Sequence, residues 1–226
     1  MITFKDLFQT AVLHKGSAAA VEQDLPVALS DAQLKALPDA FYLSEMTRRI
    51  FRAGLKHSLV DNKWPAFEVA CYQFNPLACA HMSDEKYDEL MANRDLIRHA
   101  GKMRALRSNA ALVLHKAREH GSFGAYLASW PCDNIVALWR ELKKEGAQLG
   151  GMSGARFLRM VGKDTFLLTD DVLAVLKGQG VVTKMPSSLK DLAAVQGVFN
   201  DWRAESGLPL CQLSRIASMT AASWSS

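Results

Sequence analysis

An all-α fold is what this sequence predicts, and three observations carry the expectation. Apolar residues recur at spacings of three and four through most of the chain, while period-two alternation is nearly absent, so helices rather than strands are encoded. Short Gly-rich or Pro-rich joints separate these stretches, as in compact helical proteins. The length of 226 residues, with 49% hydrophobic and 22% charged side chains, supports a full core without disulfides or metals. About ten helices are expected.

Residues 1–40 read as a loose N-terminal extension, with "SAAAVEQDLP" helical at best and Pro26 and Pro38 as punctuation. Residues 41–145 read as a helical body. In "DAFYLSEMTRRIFRAGL" Tyr42, Met46, Ile50 and Phe51 share one face and Gly54 closes the helix. A second helix is expected near Lys63, because Pro65 suits a first-turn position where its missing N–H costs nothing. "SDEKYDELMAN" opens on a Ser83 cap and an acidic first turn. The longest helix, "HAGKMRALRSNAALVLHKAREHG", ends at Gly121, and "SFGAYLASW" and "DNIVALWRELKKEG" follow it to Gly146. Residues 146–176 hold a Gly-rich turn, "GARFLRMVG" and the start of "DDVLAVLKGQG"; residues 177–226 hold the last two helices. No stretch reads as a linker, so residues 1–226 form a single expected domain.

Composition removes several classes of function. No apolar run approaches the roughly 20 residues of a spanning helix, and Lys5 and Asp6 stand where a signal peptide would be apolar. A cytoplasmic protein is expected, nucleoid-associated in a prokaryote. Cys71, Cys79, Cys132 and Cys211 are scattered without a CxxC pair, which argues against a disulfide framework and a cysteine-rich zinc site. The net charge of +4 and pI near 8.9 permit a nucleic-acid partner without demanding one.

Two motifs can carry chemistry. In "ELKKEGAQLGGMSGARFLRMVG" two helices meet at a tight turn. Gly150, Gly151 and Gly154 leave room for a phosphate, Ser153 lies in the turn, and the first N–H groups of a helix expected to begin near Ala155 can face it. Lys143, Lys144, Arg156 and Arg159 add positive charge. The turn resembles the helix-hairpin-helix of DNA-binding proteins. Roughly fifteen residues on, "KDTFLLTDDVLAVL" places Asp170 and Asp171 at a helix start, where acids are ordinary. Thr169 or Asp170 can serve as the cap, and on local rules the two acids can exchange roles.

Further residues make a more specific resemblance. "RAGLKHSLVDNKWPAFEVACYQFNP" is similar, without gaps, to the region of the 3-methyladenine DNA glycosylase I family that begins with its AGLSW motif. "LIRHAGKMRALRSNA" resembles the same family's IRHRGK segment and following NA pair, and "ALWRELKKEGAQLGG" the helix entering its hairpin. The similarity spans roughly residues 40–160. It implies a helix-hairpin-helix DNA glycosylase fold and excision of alkylated purines, 3-methyladenine first, from damaged double-stranded DNA, by a monomer without a cofactor.

Departures accompany the match. The zinc-binding cysteines and histidines of the family have no counterparts here, so no metal is expected. The base-contacting glutamate of the family corresponds to Arg49 and its stacking tryptophan to His57. Glu45 lies one turn earlier on the same helix. "DTFLLTDDVLAVL" is instead similar to the stretch of 3-methyladenine DNA glycosylase II whose second aspartate is catalytic, which matches Asp171, and "FNDWRAESG" resembles that enzyme's segment with a base-facing tryptophan, here Trp202. The implied base pocket is Trp202, His57, Arg49, Glu45 and Tyr42. Arg98 and Lys102, read as one face of a helix, are expected to track phosphates. A carboxylate suits this reaction because positive charge grows on the sugar as the base leaves.

Overall fold

The computed structural model describes residues 2–221; residue 1 and residues 222–226, the ends of the expected domain, lie outside it. The described chain is helical throughout, without a strand. Its helices are α1 (Phe4–Lys15), α2 (Ala18–Gln23), α3 (Asp31–Ala36), α4 (Asp39–Arg52), α5 (His57–Ala70), α6 (Pro76–Ala80), α7 (Asp84–Ala92) and α8 (Ala100–His120). α9 (Phe123–Ala128), α10 (Ile135–Glu145), α11 (Ser153–Met160), α12 (Asp170–Gly178), α13 (Leu189–Ser206) and α14 (Leu210–Met219) follow, with 3-10 turns at Tyr72–Phe74 and Cys132–Asn134.

The all-α expectation holds, but the described residues form fourteen α-helices where about ten are expected. The N-terminal extension accounts for most of the difference. α1, α2 and α3 are each started by a hydroxyl, as Thr3, Ser17 and Ser30 accept from the N–H groups of Asp6, Ala20 and Gln33. Leu7, Ala11, Val21 and Leu34 are buried, so these short helices are held by packing rather than by propensity. α5 also differs from expectation, since it starts at His57 and carries Pro65 in its interior. Pro65 and Asp61, the residue four positions back whose carbonyl loses its helical donor, are both exposed, so water can take that carbonyl.

The chain divides into two compact units, each assembled from separated segments. The first comprises Met1–Leu29, Pro131–Leu138 and Asp164–Ser226. In it the rings of Phe166 and Phe199 stack with centroids 4.2 Å apart, and Trp202 sets its edge on Phe199 at 5.2 Å. Asp164 is buried, and its two carboxylate oxygens accept the N–H groups of Leu210 and Cys211 at 3.0 and 2.8 Å. That carboxylate covers the start of α14, where Pro209 offers no side-chain cap.

The second unit comprises Ser30–Trp130 and Trp139–Lys163. The long α8 packs on α4, α6 and α9, and α4 also packs on α5 and α11. Trp64 lies between Phe67 and Phe74 with ring planes within 15° and 8° of parallel. Bringing Phe74 under Trp64 requires left-handed backbone at Tyr72, Gln73 and Phe74, with φ of 56°, 53° and 54°. At about 1–2 kcal/mol for each non-glycine residue, that turn is retained by the aromatic packing it permits.

Candidate base-recognition and DNA-binding site

The hairpin between α10 and α11 belongs to the second unit and is fixed from both sides. A Cβ on Gly146 would sit 2.5 Å from Leu149 Cδ1 and 2.7 Å from the Leu142 carbonyl, so only glycine ends α10 here. Gly151 turns the chain with φ of +56°. The fully buried Asn109 of α8 grips the turn, donating to the Ala147 carbonyl at 3.1 Å and accepting its N–H at 2.8 Å. Gln148 Nε2 donates to the Gly101 carbonyl at 2.7 Å. Asn109 and Gln148 carry no site role in the sequence reading. A buried amide within the apolar run "NAALVL" is the one signal that could have found the first.

At the far side of the turn, α11 starts at Ser153 with no side chain capping it. The Ser153 N–H donates to the Gly150 carbonyl at 3.1 Å, so the donors its first turn keeps for a ligand are those that follow, with exposed Lys143, Lys144 and Arg156 close in sequence on the flanking helices. Gly150 and Ser153 are half-buried at the turn, while Gly154 is buried with its Cα side against the Leu149 carbonyl, a packing position.

α11 packs on α4, and α4 carries Arg49. Arg49 is 7% exposed, its Nε has no hydrogen-bond partner, and burial followed by the charges of Arg156 and Arg52 pulls its guanidinium below the usual range. Lys102 is equally buried and donates to the carbonyls of Phe51 and Ala53 at 3.2 and 2.6 Å. It thus closes the C-terminal end of α4. Burial first, and Arg49 second, pull its ammonium down.

Several sequence expectations are corrected here. Arg98 and Lys102 do not share a helical face, because α8 begins at Ala100 with the His99 ring accepting the Lys102 N–H. Arg98 is exposed outside the helix, and Lys102 is a buried cap rather than a phosphate contact. Tyr42 is fully buried, donates its hydroxyl to the Leu34 carbonyl at 2.7 Å and packs on Phe123; burial pushes its phenol up. Trp202, expected to face a base, is 1% exposed and donates its indole N–H to the Ile2 carbonyl at 3.0 Å. Both aromatics are thus buried with their polar atoms on backbone carbonyls, as core side chains are.

Glu45 pairs with Arg48 at 2.9 Å, and the Arg48 guanidinium lies 4.8 Å from the Trp64 ring centroid. Burial raises the Glu45 carboxyl despite Arg48 and Arg52. His57 is exposed at the first position of α5.

In the first unit, Thr169 is the residue that caps α12, its hydroxyl accepting the Val172 N–H at 3.3 Å. Asp170 and Asp171 are both exposed in the first turn. Among the described residues, neither carboxylate has a hydrogen-bonding or ionic partner. No group of three or more His, Cys, Asp or Glu among these residues could hold a metal ion.

A family model described as methyladenine glycosylase matches residues 39–151, half of the chain. The chain belongs to the methyladenine glycosylase family. The match runs from the start of α4 into the hairpin, so the family body includes Arg49, Asn109 and Lys102, while Asp170, Asp171 and Trp202 lie beyond it. As a methyladenine glycosylase the protein is a DNA repair enzyme, a hydrolase of N-glycosyl bonds. Among solved structures, 3-methyladenine DNA glycosylase I from Staphylococcus aureus is similar at 21% identity and TM-score 0.51, over 65% of this chain and 85% of that one. Another 3-methyladenine DNA glycosylase I structure gives 23% identity and TM-score 0.48, over 65% of this chain and 86% of that one. The first of these likenesses concerns the fold.

Proposed function

We propose that this methyladenine glycosylase is monofunctional. It hydrolyses the bond between a damaged purine and its deoxyribose in double-stranded DNA, acts as a monomer and leaves an abasic site. Alkylated purines, 3-methyladenine first, head the substrates to be tested. The observation that carries the reading is the hairpin: an uncapped helix start on a turn clamped by Asn109 and Gln148, with exposed cations on the flanking helices.

Water is the nucleophile in this reading. No lysine lies between Gly150 and Gly162, and Lys163 is buried with its ammonium donating to the Trp130 carbonyl at 2.6 Å, which ties up the amine that a lyase reaction would need. Asp171 supplies the carboxylate that stabilises the oxocarbenium-like sugar and orients water. Its exposure and its lack of a protein partner among the described residues leave it, like Asp170, free to meet a sugar.

The test is base release from lesion-bearing duplexes, scored by cleavage at abasic sites. Asp171→Asn is expected to lose about 10²-fold in rate while retaining DNA affinity. Full activity in Asp171→Asn would transfer the role to Asp170. A wild-type protein that binds DNA and releases no base from any lesion would be a non-catalytic DNA-binding protein, and the hydrolase reading would fail.

A further inference from the structure

A guanidinium presents five N–H donors in a fixed fork and does not give up its charge, so a buried arginine ordinarily lies against carboxylates or carbonyls. Arg49 has no such partner among the described residues. More than nine-tenths of it is buried, its Nε is closed off without a partner, and no ion pair or hydrogen bond reaches it among the described residues. The charges acting on it, Arg156 and Arg52, are both positive. The next buried cation, Lys102, already has two of its three donors on the carbonyls of Phe51 and Ala53. Among the described residues nothing compensates Arg49, so the compensating acceptor arrives with a ligand.

The helix that carries Arg49 packs on the second helix of the hairpin, which makes DNA the ligand within reach. DNA offers two kinds of acceptor, phosphate oxygens and base edges. Phosphates run along the surface and meet exposed cations such as Arg156. A guanidinium this deeply buried is reached by a group that inserts, and an extruded base inserts.

We propose that Arg49 reads the extruded base and selects a neutral 6-oxopurine, hypoxanthine above all, whose O6 and N7 accept two N–H bonds from one guanidinium. The proposal rests on the DNA-glycosylase reading above and puts hypoxanthine ahead of 3-methyladenine among its substrates. A purine made cationic by methylation brings one more positive charge to Arg49, Arg156 and Lys102, whereas the O6 and N7 edge matches the arginine fork. Guanine shares that edge, but its sound pair with cytosine holds it in the stack, while a mismatched hypoxanthine leaves more easily.

The full chain is incubated with duplexes carrying one hypoxanthine, with methylated duplexes containing 3-methyladenine and with undamaged duplexes, and released base is measured. Hypoxanthine is expected to leave at least about tenfold faster than 3-methyladenine. Arg49→Gln is expected to lose about ten- to a hundredfold on hypoxanthine alone, and Arg49→Glu to shift preference toward 3-methyladenine. Faster release of 3-methyladenine by the wild type, or an equal loss on both bases in Arg49→Gln, overturns the proposal. Release of no base from any duplex sinks the glycosylase reading and takes the proposal with it.

Two further measurements separate the other roles Arg49 could have. Affinity for undamaged duplex against salt is expected to keep its slope in Arg49→Gln; a slope lower by about one unit assigns Arg49 to a phosphate and overturns base reading. The melting temperature of Arg49→Gln is expected to hold or rise, since an unpaired buried charge is removed. A clear fall marks a structural role and also overturns it.

Discussion

Single residues hold this protein together where local backbone rules leave groups unmet. Asp164 is the strongest case, because one buried carboxylate takes two N–H groups at the start of α14. Asp164→Ala is expected to cost about 3 kcal/mol, read as a lower denaturant midpoint with an unchanged slope. A loss below about 0.5 kcal/mol would show that water replaces the carboxylate. Cys71 and Cys79 are buried thiols, each pushed up to about 12 by burial. They hold almost no thiolate at pH 8, so iodoacetamide is expected to label them only after unfolding. Peptide mapping of the native protein by mass spectrometry checks this, and rapid native labelling of either would contradict it.

At the scale of the element, the hairpin separates a shape requirement from a charge requirement. Gly151 is there for its positive φ, so Gly151→Ala is expected to cost about 1 kcal/mol of stability and to weaken DNA binding through the altered turn. Arg156 is exposed on α11, and its removal should leave stability unchanged. Arg156→Ala is expected to lower the salt dependence of DNA binding by about one unit, measured by fluorescence anisotropy on one duplex. An unchanged slope with normal affinity would place the phosphate elsewhere.

For the molecule as a whole, two glutamates pull the pH dependence of stability in opposite directions. Lys116 hydrogen-bonds Glu145 and holds its carboxyl below the usual range. Its contribution is present above the unfolded pKa and is lost as pH falls through the folded one. Glu45 is raised by burial, so its folded form binds a proton that the unfolded chain releases; the cost is absent below the unfolded value and grows as pH rises through the folded one. Glu45→Gln is therefore expected to stabilise the protein at pH 7 and to converge with the wild type near pH 4. Thermal melts at the two pH values check the sign, and a variant less stable at pH 7 would show that the Arg48 pair outweighs burial.

The helical class, the longer helices and the hairpin are legible in the sequence. α4, α7, α8 and α13 end or begin where Ser83, Gly54, Gly121 and other local signals put them, because caps and glycine turns are settled by residues a few positions apart. The family was also legible, since "RAGL" and "IRHAGK" lie within the matched span. The fate of individual side chains is set by the fold. α2 and α3, six residues each, are too short to declare themselves, and α1 to α3 are held by burial of Leu7, Ala11, Val21 and Leu34. Trp202 and Tyr42 looked like pocket walls and are core, because whether an aromatic packs or waits for a base depends on Ile2, Leu34 and Phe123 rather than on its neighbours in sequence. Arg49 is the converse: the sequence shows an arginine, and only the fold shows that it is buried without a partner. Local hydrogen bonding is written along the chain, whereas burial and partnership are set across it.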